Sequence, residues 1–253
     1  MAVGHVLVGS GPVRVIALHG WFGSAQGWGD WPLLLDGDRY TVAFLDYRGY
    51  GSRKDEPGDY SLDEISADAR ALADELGWDR YALIGHSMGG TAMMRTFADA
   101  PDRVTALVAV TPVPPTGIPF DDDSWALFSG AAESDDNRAT IIGFTTGNVH
   151  PGEWVQQMVR FSVENSRRDA VGGYLPSWAK TDFHEEVPPV EVPLRVIAGA
   201  RDGALGPETC RASWLQLFPT AELDVIEDAG HYPMYEAPGG FTAAVDRTLG
   251  ALD

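Results

Sequence analysis

Six short stretches of the chain are rich in apolar and β-branched residues: VRVIAL at 13–18, YTVAFL at 40–45, YALIG at 81–85, VTALVAV at 104–110, LRVIAG at 194–199 and ELDVIE at 222–227. Most are near-continuous rather than alternating. A strand with one wet face alternates apolar and polar positions, whereas a strand covered on both faces does not, so these runs predict the inner strands of a largely parallel sheet. Between them the apolar period lengthens to that of a helix. The clearest case is SLDEISADARALADELG, where Ser61 and Glu64 have the spacing of a capping box, Leu62, Ile65, Ala69, Leu72 and Leu76 share one face, and Gly77 supplies the stop. Strand and helix therefore alternate along the chain. That order predicts an α/β fold with helices on both faces of the sheet.

The alternation breaks once. From Thr111 to about Val190 no strong strand pattern occurs, and the edges are proline-rich, with Pro112, Pro114, Pro115 and Pro119 on one side and Pro188, Pro189 and Pro193 on the other. So long a loop without elements of its own is unusual, which predicts a helical insertion. The expected organisation is a core of residues 1–111 and 191–253, with residues 112–190 forming a helical lid set into it. Gly9-Ser10-Gly11-Pro12 reads as a turn between two N-terminal strands.

Composition narrows the partners. With 37 acidic against 18 basic side chains the formal net charge is -19, which repels a polyanion, so no nucleic-acid partner is expected. Cys210 is the only cysteine, so neither an internal disulfide nor a cysteine-based zinc cluster can form. The first residues, MAVGHVLVGSGP, lack a basic region followed by an apolar run, and no stretch approaches the about 18 apolar residues of a membrane span. A cytoplasmic protein with no membrane partner is the expectation.

The chemistry gathers around GHSMGG at 85–90. Gly85 ends a predicted strand and MGGTAMMRTFADA starts a predicted helix, so Ser87 falls on a strand-turn-helix junction, the setting of a nucleophile elbow. Such a turn exposes the serine oxygen and needs small neighbours, here Gly85 and Gly89. At the start of the helix the backbone N–H of Met88 points toward any negative oxygen formed at Ser87.

A serine hydroxyl needs a base, and histidine is the residue suited to take its proton. His19 and His86 flank motif glycines, His5 lies near the terminus, and His150 and His184 fall in the insertion. His231, in EDAGHYPMYEAP after the last predicted strand, is the candidate base. The imidazole in turn needs an acceptor. Asp202 follows LRVIAG in GARDGALGPE, which gives the chain order Ser87, Asp202, His231. Asp228 lies only three residues from His231 and is expected to shape its loop. A second oxyanion donor is the backbone N–H of Trp21, in LHGWFGSAQGW after the strand VRVIAL.

HGW at 19–21, DYRGYGSR at 46–53, GHSMGG at 85–90, GARD at 199–202 and GHYPMYEAP at 230–238 together make the chain resemble the α/β-hydrolase family over essentially its whole length. The resemblance implies a cofactor-free serine hydrolase that cleaves a carboxylic ester through an acyl-enzyme, with Asp46 and Arg48 in a structural turn. Serine at position 87 separates it from haloalkane dehalogenases and epoxide hydrolases of this fold, which use aspartate. Small carboxylesterases and cofactor-free haloperoxidase-like or perhydrolase-like members are the most similar branch. Lactonases, carbon–carbon bond hydrolases or lyases acting on a carboxylated substrate, and slow-turnover ligand receptors that keep the triad remain open.

The insertion carries Trp125, Phe128, Phe144, Trp154, Met158, Phe161 and Trp178, a set able to line an apolar pocket over Ser87 for a substrate with an apolar or aromatic portion. Tyr174 and Phe183 belong to the same segment. Packing of these aromatics on the body is the competing reading. Arg138, Arg160, Arg167, Arg168 and Lys180 are its basic residues; one of them reading a substrate carboxylate is the alternative to surface pairing.

Overall fold

The computed structural model describes residues 3–252; Met1, Ala2 and Asp253 lie outside it. Seven strands form one sheet: β1 (His5–Gly9), β2 (Val13–Leu18), β3 (Tyr40–Leu45), β4 (Tyr81–His86), β5 (Val104–Val110), β6 (Leu194–Gly199) and β7 (Glu222–Ile226). Their order is β1-β3-β2-β4-β5-β6-β7, with β1 antiparallel to β3 and every other neighbour pair parallel. Every residue of β4 and β6 is buried, and β3 and β5 have no exposed position. That double burial is why their sequences show no alternation. The edge strands β1 and β7 are mixed instead, with exposed positions in each.

Helices α1 (Trp31–Leu34), α2 (Leu62–Glu75) and α3 (Met88–Asp99) follow β2, β3 and β4. A helix the length of α2 is marginal alone, so packing decides it. Leu62, Ile65, Ala69 and Leu72 are buried, and each such leucine or isoleucine contributes roughly 1.5–3 kcal/mol. Ser61 Oγ accepts from the Glu64 N–H at 3.1 Å, but the Glu64 carboxylate reaches past the Ser61 N–H to those of Asp59 and Tyr60. Only half of the expected capping box is present. Gly77 takes φ +67° just past the helix, a left-handed stop that suits glycine.

Between β5 and β6 lie four helices: α4 (Asp122–Gly130), α5 (Asp135–Thr145), α6 (Gly152–Glu164) and α7 (Arg168–Lys180). The remaining helices are α8 (Pro207–Ala212), α9 (Trp214–Leu217), α10 (Pro233–Glu236) and α11 (Pro238–Leu249). From β2 the chain moves outward to β3, then crosses back to β4 on the other side of β2. Direction thus reverses at the neighbouring carboxyl ends of β2 and β4, where Leu18 lies opposite Gly85. Open α/β sheets place their ligands in the crevice at such a reversal.

Candidate active site

Ser87 occupies the crevice. It has φ +55° and ψ −119°, a conformation that costs a non-glycine residue roughly 1–3 kcal/mol. Three backbone bonds hold it there: its N–H donates to Val110 O (2.9 Å), and its carbonyl accepts from the N–H groups of Gly90 (2.8 Å) and Val113 (3.1 Å). At Gly89 a Cβ would lie 2.1 Å from the carbonyl oxygen of Leu18, so only glycine lets α3 begin this close to β2.

Asp202 and His231 stand on the loops that leave β6 and β7. His231 Nδ1–H donates to Asp202 Oδ2 at 2.6 Å, and the other carboxylate oxygen accepts from the N–H groups of Ala204 (2.9 Å) and Leu205 (3.0 Å). Both side chains are nearly closed to solvent. With Nδ1 engaged by Asp202, Nε2 is the ring nitrogen left to face the cavity. Ser87 and His231 line one cavity, and the Ser87 hydroxyl has no hydrogen-bond partner among the described residues. No acceptor is paired with the backbone N–H of Trp21 or Met88 among the described residues.

The cavity measures about 340 Å³. Phe128, Phe144, Met158, Phe161 and Trp178 of the insertion line it; Trp125 and Trp154 do not. Trp125 lies under the ammonium of Lys180, 3.5 Å from the ring centre, and Trp154 stacks on His150 at 4.1 Å. Tyr174 packs among Tyr47, Tyr50 and Tyr60, and Phe183 lies beneath Arg95.

A family model of the alpha/beta hydrolase fold matches residues 13–238. The chain belongs to that family. This hydrolase is 27% identical to the N-formylmaleamate deformylase of Pseudomonas putida over 218 residues, 82% of this chain and 78% of that protein. It is 28% identical to Esterase YbfF of Escherichia coli over 93% of this chain and 92% of that one. Its structure is similar to that of a bromoperoxidase from Bacillus anthracis, with a TM-score of 0.87 at 21% identity, covering 97% of this chain and 94% of that one.

The body of the hydrolase, and not the insertion alone, supplies much of the cavity wall. Trp21, Phe22, Leu205, Tyr232 and Tyr235 all face it. The Trp21 indole donates to Val171 O at 2.8 Å and its ring lies parallel to that of Phe128, so its side chain ties the loop after β2 to the insertion. No lysine or arginine is among the lining residues. The insertion's basic residues are engaged elsewhere. Arg138, buried, donates to Ala131 O and Ser162 Oγ and lies over the Phe22 ring, while Arg160, Arg167 and Arg168 meet Glu153, Asp169 and Glu133. Asp46 accepts from the Ala25 and Ser52 N–H groups, and Arg48 pairs with Asp68 and Glu64, so both brace the turn after β3. Asp228 is exposed and pairs with Arg201, which links its loop to that of Asp202.

Two further histidines are buried and neutral. Burial lowers His19 from 6.5 to about 4, only partly offset by its bond to the Gly20 carbonyl; Nδ1–H donates there while Nε2 accepts from the Tyr47 N–H. Burial and then the neighbouring His231 hold His86 well below the ordinary histidine range. Both folded-state affinities are depressed, so the unfolded chain binds these protons first as pH falls. Stability present above about pH 6.5 is therefore lost progressively toward pH 4, the unfolding constant rising up to about tenfold per pH unit per histidine. Urea titrations at pH 7.5, 6 and 5 measure that slope, and His19→Phe is expected to make it shallower.

Proposed function

We propose that this hydrolase cleaves uncharged carboxylic esters with an apolar or aromatic acyl group, through an acyl-enzyme on Ser87. The observation that carries the reading is the 2.6 Å bond from His231 to Asp202, at the wall of a cavity that also holds Ser87. His231 Nε2 takes the Ser87 proton as Oγ attacks the ester carbonyl. The N–H groups of Trp21 and Met88, which have no acceptor among the described residues, donate to the oxyanion. Collapse expels the alcohol, which takes the proton from His231. Water, deprotonated by the same nitrogen, then releases the acid and frees Ser87.

Residues 112–190 act as a lid in this reading, which is supported by Phe128, Phe144, Met158, Phe161 and Trp178 of α4 to α7 lining the cavity that Ser87 also lines. A cavity of about 340 Å³ falls at the small end of ligand sites and suits a short or medium acyl chain or a single ring. The wall has no cation to meet a carboxylate, which argues against a carboxylated carbon–carbon bond substrate. Among the described residues no helix is long and apolar enough to cross a membrane.

The test is a panel of p-nitrophenyl esters. Butyrate and benzoate are expected to exceed the hemisuccinate by about tenfold or more in kcat/KM, the cost of an unpaired carboxylate in an apolar wall. Preference for the hemisuccinate contradicts the reading. Turnover that stops after one equivalent favours the receptor instead.

A further inference from the structure

We infer that Glu236 and His150 are positioning residues that fix the His231 imidazole, and that the helical insertion is thereby part of the mount of the base as well as a cover. The inference rests on the proposed role of His231. The Glu236 side chain is wholly buried, and its carboxylate brackets the histidine: Oε2 accepts from the Gly230 N–H (2.9 Å) and Oε1 from the Tyr232 N–H (2.8 Å). The peptide between them is also held. His231 N–H donates to Thr145 O in the insertion (3.0 Å), and its carbonyl accepts from Thr111 Oγ1 (3.0 Å) and His86 Nε2–H (2.8 Å). From Gly230 to Tyr232 every backbone N–H is bonded, as are the carbonyls of His231 and Tyr232; the Gly230 carbonyl has no partner among the described residues.

A buried carboxylate is costly unless its remaining lone pairs are met. His150, from the link between α5 and α6, meets one, donating Nε2–H to Oε2 at 2.9 Å. Its ring is fixed by the stack on Trp154, interplanar angle 22°, and Trp154 meets Tyr232 edge-on, which in turn meets His231 at 85°. The insertion approaches closely here: a Cβ on Gly230 would lie 2.7 Å from Thr146 Cα. Thr145 and His150 thus grip the His231 loop from one segment of the insertion, one through a carbonyl and the other through the carboxylate. A misplacement of about 1 Å at a reacting group can cost about a hundredfold in rate, so such a clamp acts on turnover more than on substrate binding.

Two variants separate the donor from the ring. His150→Phe keeps a ring for Trp154 and removes the N–H; His150→Gln places an amide N–H where Nε2 stands. On p-nitrophenyl butyrate His150→Phe is expected to lower kcat by about three- to tenfold with KM within about twofold, and His150→Gln to restore kcat to within about twofold. Glu236→Gln keeps the shape but loses one acceptor, and is expected to lower kcat by about 10- to 100-fold with KM again little changed. Unchanged kcat in His150→Phe, or equal loss in the Gln and Phe variants, overturns the inference while wild type still turns over and His231→Ala does not. Full activity of His231→Ala would instead overturn the underlying assignment of the base. If Glu236→Gln melts early, the His150 pair alone decides.

Discussion

Ser87→Ala is expected to lower kcat/KM on p-nitrophenyl butyrate by about ten-thousandfold or more while leaving the melting temperature unchanged or slightly raised. The substitution removes one oxygen and nothing else. Backbone bonds from Val110, Gly90 and Val113 hold position 87 without using that oxygen, so the turn survives its loss. The oxygen itself has no hydrogen-bond partner among the described residues, so removing it leaves no buried group unpaired. Stability spent on a functional group is commonly recovered when that group is deleted. Rate measurement beside a thermal melt checks both halves of the prediction.

Asp202→Asn should follow, with a loss of about a thousand- to ten-thousandfold in kcat and little change in KM. The reason lies in the unequal demands on the two carboxylate oxygens. One faces two backbone donors, Ala204 and Leu205, and the other faces His231 Nδ1. An amide has a single acceptor oxygen, which the two N–H donors hold on their side. Its NH₂ then faces Nδ1 and requires that nitrogen to be the acceptor. The proton moves to Nε2, the nitrogen that must receive the Ser87 proton, so the base is present in the wrong tautomer. Asp202→Ala loses the same chemistry and leaves two buried N–H groups without partners, so it should also melt earlier.

The inner sheet was legible because burial on both faces removes alternation. β2, β3, β5 and β6 begin and end where the apolar runs do, and β4 extends one residue beyond its run to His86. ELDVIE at the open edge gave β7 less its last residue, Glu227. The positions of the three candidate site residues follow the strands: Ser87 comes directly after β4, and Asp202 and His231 stand on the loops that leave β6 and β7.

What the sequence concealed depends on which way a side chain turns. Aromatic identity in the insertion predicts apolar contact but not its direction, and so Trp125 and Trp154 lie outside the cavity while Phe128 and Trp178 line it. The body's share of the wall includes Trp21, Phe22 and Tyr232, which sit in motifs whose backbone and neighbouring residues carry the more evident signal. Arg138 is buried with no carboxylate partner among the described residues, held by a carbonyl, two hydroxyls and an aromatic face, and composition alone cannot distinguish it from the paired surface arginines. Glu236 did leave a trace. A glutamate five residues after His231, on the short helix that Pro233 begins, can reach back to the turn around that histidine. His150 left none, since it reaches Glu236 only through the packing of the insertion on the His231 loop.

The proposed acyl-enzyme requires Ser87 to be a nucleophile activated by His231, and a p-nitrophenyl phosphonate reports that directly. Mass spectrometry of the treated protein should show one adduct per chain, located to the peptide that carries Ser87, forming at least about a hundredfold more slowly in His231→Ala. An adduct on another residue, or equal labelling rates with and without the imidazole, would contradict it.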